Sequence, residues 1–179
     1  ALVLRAIQGP DGTDPSCIDA PFDGPSRRPL STLRIGFLER DLSRDTANSS
    51  NHLAALDQLR ALGATLLPVK LPDIPTSPLW LILNAEASAA FDAFTRADLD
   101  DQLVQQGPGS WPNLFRSARL IPAVEYIQAN RLRHQLIEAM HQLFQEIDVL
   151  IAPPWMGRIL LYSNMSGHPC VVVPHVDKT

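Results

Sequence analysis

Residues 32–72 read TLRIGFLERDLSRDTANSSNHLAALDQLRALGATLLPVKLP, and the rhythm of this stretch decides the fold. Leu33–Leu38 is a short apolar run and predicts a buried strand. Asp45 or Thr46 stands where a helix cap belongs. Leu53, Leu56, Leu59 and Leu62 then recur at helical spacing and predict a helix with a broad apolar face. Gly63 closes that helix, and residues 64–72 read as a second strand. Strand, helix and strand within this length form a βαβ unit, with parallel strands and a right-handed crossover.

Outward from this unit the same signals continue. Ser77 as N-cap and Pro78 at the first helical position predict a helix running to about residue 99. A polar loop with Gly107, Pro108 and Gly109 follows. Ala129, Leu132, Leu136, Met140, Leu143 and Ile147 form one stripe of a long helix over Ala123–Ile147. Residues 148–154 read as a third strand, stopped by Pro153 and Pro154. A short helix over 157–165, broken by Gly167, leads to a fourth strand at Pro169–Pro174. Four strands with interleaved helices predict an α/β fold, a sheet flanked by helices. On the other side, residues 9–32 are dense in Pro, Gly, Asp and Ser and read as a loop or linker. Residues 1–7 read as the last turns of an apolar helix, ended by Gly9 and Pro10. No cap residue and no Met precede them, so the chain reads as opening inside a helix.

The chain has 179 residues, of which 45% are hydrophobic, and this suits one soluble domain with a sizeable core. The net charge of −4, without a run of one sign, argues against a nucleic-acid partner. No apolar stretch is long enough for a membrane span. Ala1–Ile7 also lacks the basic start and cleavage pattern of a signal peptide. The compartment stays open, with a cytoplasmic setting favoured.

Candidate chemistry is sparse. Ser166 and His168 raise the question of a nucleophile with its base. The G-x-S-x-G elbow is absent, because Asn164 and Met165 precede the serine, and a two-residue spacing rarely aims both side chains at one point. The favoured reading is a turn whose hydroxyl bonds locally. His134 and His141, seven residues apart on one helix, would stand about 10 Å apart, too far to share a metal. Asp11, Asp14 and Asp19 miss the calcium-loop spacing and read as turn residues. Arg116 and Arg119 suit a carboxylate ligand, but surface or interface arginines are the default. Cys17 and Cys170 are far apart and read as free thiols. Thirteen of the fifteen basic residues are arginine, leaving only Lys70 and Lys178, and no Gly-Gly pair occurs. No catalytic residue, metal site or cofactor site is assigned.

A resemblance carries more. FRSARLIPAVEYIQANRLRHQLIEAMHQLFQEIDVLIAPP (115–154) and LLYSNMSGHPCVVVP (160–174) are similar to the amidase signature family, whose members carry a TNLTGHPAVVVP-like stretch. ALVLRAIQGPDGTDPSCIDAPF (1–22) resembles the segment after that family's Ser-rich signature. The βαβ unit and LNAEASAAFDAFTR (83–96) resemble the segments that come next. The resemblance covers nearly the whole chain in the family's order. It implies a large mixed sheet flanked by helices, incomplete here at both ends, so that 1–179 is a C-terminal portion.

The resemblance also implies hydrolysis of amide bonds without metal or cofactor. In that family one serine attacks, a second serine on a cis peptide relays the proton, a buried lysine is the base, and a Gly-rich loop holds the oxyanion. None of these maps onto this chain. Lys70 matches a strand end and not the catalytic lysine, and Lys178 lies in PHVDKT, where the resemblance has lapsed. The chain is therefore expected to be inactive alone, and to line one wall of a pocket for a small amide substrate with Trp155, Met156, Gly157 and Asn164. A sheet edge left without neighbours is expected to promote self-association. Two alternatives remain. One is an amidotransferase component that transfers ammonia to aminoacyl-tRNA, disfavoured by the short PPWMGRI connector with no acidic residue. The other is a truncated, non-catalytic relative acting as an interaction protein.

Overall fold

The computed structural model describes residues 2–15, 17–20, 22, 24, 26–154 and 157–173. Three parallel strands form the sheet of the described residues: β1 (Arg34–Phe37), β2 (Thr65–Pro68) and β3 (Val149–Ile151). Their order is β2-β1-β3, with Ile35 opposite both Leu66 and Val149. β1 is central because its sequence suits burial on both faces, and Ile35, Gly36 and Phe37 are all buried. Among the described residues, eight α-helices accompany the strands: α1 (Leu2–Ile7), α2 (Glu39–Arg44), α3 (Ser49–Ala61), α4 (Ser77–Ala90), α5 (Asp92–Arg96), α6 (Trp111–Ala118), α7 (Ala123–Glu146) and α8 (Ile159–Ser166). Short 3-10 turns occupy Leu30–Thr32 and Leu99–Gln102. The α/β class and the parallel βαβ unit are as expected.

Apolar side chains gather in two places. Phe37, Leu42 and Leu56, with Leu66 and Ile151 against them, join the sheet to α2 and α3. A larger cluster of Leu79, Ile82, Ala129, Leu136, Met140, Leu161, Tyr162 and Met165 binds α4, α7 and α8 together. The stripe expected along residues 123–147 faces this second cluster. Its last member, Ile147, turns instead beneath β1, where it crowds Gly36.

Several expectations need correction. Residues 169–173 join no strand, and Val171, Val172 and Val173 are exposed. Pro169 lacks an amide donor, and the preceding residues are held elsewhere, as described below. On α3 only Leu56 is buried, while Leu53 and Leu62 face solvent, because no described element covers that flank. The α3 cap is Asn48; Asp45 instead ends α2 and binds Asn48 and His52. These hydrogen bonds, His52 first, hold the Asp45 carboxyl below its usual range. The helix opening near Ser77 has Thr76 as its cap, and it breaks at Phe91 into α4 and α5. α2 occupies residues for which the sequence predicts no element, and α6 follows the expected polar loop where no helix was predicted. α2 carries Glu39 and Asp41 in its first turn and Arg44 in its last, which complements the helix dipole. α6 begins after extended Ser110, with Pro112 in its first turn, and buries Pro112, Phe115 and Ala118 on one side.

One brace ties the sheet's beginning together. Asp148 accepts from the Arg34 backbone N–H at 2.8 Å and from the Arg34 and Arg28 guanidiniums. Arg34 N–H first, then its side chain, lower the Asp148 pKa to about 2. A carboxyl depressed by folding adds stability above its unfolded value near 3.8, and this is lost as pH falls toward 2. Thermal unfolding across pH 2–5 should therefore fall less steeply in Asp148→Asn than in the parent chain. Superimposable pH profiles would show that the brace contributes nothing.

The chain exposes 12788 Å² of surface. A compact monomer of 19.7 kDa exposes roughly 8,600 Å². All described residues of α1 are exposed, and so are large apolar side chains such as Val104, Leu120 and Val124.

Candidate functional site

Because the three strands are parallel, their carboxyl ends share one edge of the sheet. Ligands of open α/β sheets bind at that edge, where successive connections diverge. Here β1 lies between β2 and β3, so the chain leaves it to one side first and returns on the other. Among the described residues, the connectors reaching this edge are 69–76 after β2 and 152–154 with 157–158 after β3.

A polar clamp fastens the two connectors. Tyr162 is fully buried on α8. Its hydroxyl donates to the Ile74 carbonyl at 2.6 Å and accepts from the Ile74 N–H at 3.1 Å. Arg158, one turn earlier, donates to the same hydroxyl at 3.1 Å, to the Ile74 carbonyl and to Asp73 at 2.9 Å. The Asp73 carboxylate raises the Arg158 pKa above its already high ordinary value. Gly157 is exposed with φ 63°, and a Cβ added there would come within 2.8 Å of the Asp41 carboxylate. Arg158, at the end of the connector after β3, is tied to the 73–74 segment. Sequence reasoning missed this clamp. The only sign was an Arg and a Tyr spaced one helical turn apart.

The expected pocket residues fare unevenly. Trp155 and Met156 lie outside the described residues. Gly157 is exposed and directly precedes Arg158 of the clamp. Asn164 is exposed on α8, and its amide returns to the Leu160 carbonyl. An open groove of about 850 Å³ runs instead along α7 from Tyr126 to Glu138. It is lined by that helix alone and describes a flank, not an enclosed site.

Ser166 and His168 do meet, contrary to the spacing argument. His168 Nδ1 lies 2.8 Å from Ser166 Oγ. Gly167 adopts a left-handed φ of 77° and closes α8, with its own N–H and that of His168 both directed at the Ser163 carbonyl. That turn folds the imidazole back over the helix end, where it stacks on Phe144 with centroids 4.5 Å apart. Ser166 also lies 2.6 Å from the Tyr162 carbonyl, its natural acceptor. Arg133 of α7 caps the neighbouring Met165 carbonyl at 2.8 Å. The arrangement finishes a helix, and the hydroxyl bonds locally.

The other candidates are engaged elsewhere. Arg116 pairs with Asp100 and Asp101, and Arg119 with Asp92. Asp92 is held below its usual range, chiefly by its hydrogen bond from Arg96. His134 lies beside Glu138, and His141 beside Gln145. Among the described residues no group of three or more His, Cys, Asp or Glu is placed to hold a metal, and no helix is long and apolar enough to cross a membrane. Cys17 and Cys170 are free and exposed.

The family described as Amidase matches residues 1–166, from the first helix through the last residue of α8. The chain belongs to the amidase family. An amidase of Pseudomonas putida is 32% identical over 165 residues, which cover 86% of this chain and 33% of the relative. AtzE of Pseudomonas sp. (strain ADP), part of a 1-carboxybiuret hydrolase, is 32% identical over 189 residues, covering 95% and 38%. A component of the glutamyl-tRNA(Gln) amidotransferase of Nitratidesulfovibrio vulgaris is 31% identical, covering 86% and 37%. A solved structure reported under the words "An unexpected vestigial protein complex reveals the evolutionary origins of an s-triazine catabolic enzyme" is similar with TM-score 0.60 and 30% identity. It is matched over 86% of this chain and 33% of its own. The chain spans about a third of the length of the amidase-family relatives it matches.

Proposed function

We propose that these residues serve an enzyme that hydrolyses a carbon–nitrogen bond of a small amide, and that they build one wall of its substrate pocket without supplying catalytic groups. The observation that carries this reading is the family match through α8, together with the clamped connectors at the carboxyl edge of the sheet. Trp155, Met156 and Gly157, in the sequence before Arg158, are the proposed wall residues, together with Asn164 of α8. A lysine base works from a buried position, whereas Lys70 is exposed on the connector after β2. The purified chain should therefore show no turnover on a panel of aryl and alkyl amides. Turnover that disappears in Ser166→Ala would place chemistry in this chain and sink the reading.

The amidotransferase component is the second reading, favoured by the 31% identity to such a protein. The connector between β3 and α8 runs only from Ala152 to Arg158 and holds no acidic residue, which favours the hydrolase. We also propose that the open sheet edge supports self-association.

A further inference from the structure

We infer that the Ser166–His168 pair is polarised opposite to a nucleophile and its base: His168 donates from Nδ1–H to the serine oxygen, and its lone pair lies on Nε2. The geometry at the end of α8 carries this assignment independently of the hydrolase reading.

A serine hydroxyl has one proton and two lone pairs. The Ser166 oxygen lies 2.6 Å from the Tyr162 carbonyl oxygen and 2.8 Å from His168 Nδ1. A carbonyl can only accept, and two oxygens settle at 2.6 Å only with a proton between them. The hydroxyl proton is therefore committed to Tyr162, in the back-bond that a helical serine makes to the carbonyl four residues earlier. What remains on the oxygen is acceptor capacity, so Nδ1 must bring the proton for the second contact. A lone pair on Nδ1 would instead face the lone pairs of a half-buried oxygen, with no hydrogen between them.

The neighbours hold the ring in this pose. Gly167, at φ 77°, turns the chain back over the helix end. Phe144 lies nearly parallel to the imidazole, 16° between planes, with centroids 4.5 Å apart. Arg133 of α7 donates to the Met165 carbonyl and ties the end of α8 to the helix that carries Phe144. Turning the imidazole over would set Cδ2–H against the serine oxygen and lose the bond. A neutral imidazole has one N–H and one lone pair, so the bond made at Nδ1 dictates the tautomer.

Two consequences follow for chemistry. A base that activates serine must receive the hydroxyl proton, whereas this serine has none to offer the ring and meets no lone pair there. Nε2 is left as the acceptor atom of His168, a site for an N–H or O–H donor. The charged ring keeps the same proton on Nδ1, so the contact that closes α8 survives protonation at Nε2.

The test is a long-range proton–nitrogen correlation spectrum of the chain labelled with 15N-histidine, recorded at alkaline pH. Nε2 couples to both ring C–H protons and Nδ1 to one, so the pattern names the nitrogen that carries hydrogen. The pattern missing in His168→Asn, among those of the five histidines, belongs to His168. His168 is expected to be protonated at Nδ1 and bare at Nε2. Protonation at Nε2, or a pattern averaged between the two forms, overturns the assignment. Ser166→Ala removes only the acceptor, and the ring should then pass to the Nε2–H form that the free side chain favours in water. A ring that stays protonated at Nδ1 in Ser166→Ala shows that the serine is not its acceptor and overturns the assignment too. Amide turnover tests the hydrolase reading and leaves this result untouched.

Discussion

Tyr162→Ala is expected to lower stability by about 3–5 kcal/mol, the range for removing a fully buried aromatic side chain. The ring sits in the cluster that joins α4, α7 and α8, so its loss opens a cavity where three helices meet. The hydroxyl adds a second effect that Tyr162→Phe isolates. Phenylalanine keeps the packing but leaves the Ile74 N–H without its acceptor and the Ile74 carbonyl without its shortest donor. Leaving such groups unpaired costs about 1–3 kcal/mol. Urea unfolding of both variants checks the division. A Phe variant as stable as the parent would mean that water replaces the clamp at no cost, and that the 72–74 segment is held by packing alone.

Gly36→Ala is expected to cost about 1–3 kcal/mol, the usual penalty for overfilling a packed core. The new Cβ would lie 2.7 Å from Ile147 Cδ1 and 3.1 Å from both Ile147 Cγ2 and Val69 Cγ2. Ile147 is 1% exposed, so its side chain has little room to retreat. Gly36→Val should cost more. Removing the offending methyl with Ile147→Val should recover part of the loss, which a double-mutant cycle reads directly. If Gly36→Ala is neutral or stabilising, the space beneath the central strand is larger than these distances imply.

Where apolar spacing alone decides an element, the sequence reading and the structure agree. β1, the parallel βαβ unit and α7 follow from the runs at Leu33–Leu38 and Ala129–Ile147. Elements set by tertiary context were missed. α2 and α6 are short; α2 buries only Leu42, in the cluster with Phe37 and Leu56, and α6 packs on α4 and α5. The valine run at 171–173 has every local mark of a strand, yet a strand exists only where an edge receives it. The face of α3 failed for a similar reason, since helical spacing does not say whether anything will cover it. In the candidate site, the turn at Gly167 and the stacking on Phe144 brought Ser166 and His168 together, and two-residue spacing carries no information about either. The clamp was illegible because its partners, Ile74 and Asp73, lie more than eighty residues from Tyr162 and Arg158.

The large exposed area has a thermal meaning as well. The heat-capacity change of unfolding scales with the apolar surface newly hydrated, and this chain already hydrates much of its own. A small increment flattens the dependence of stability on temperature. The stability of the native state then changes little from cold to warm, and covering the apolar surface in a larger assembly would sharpen the curve.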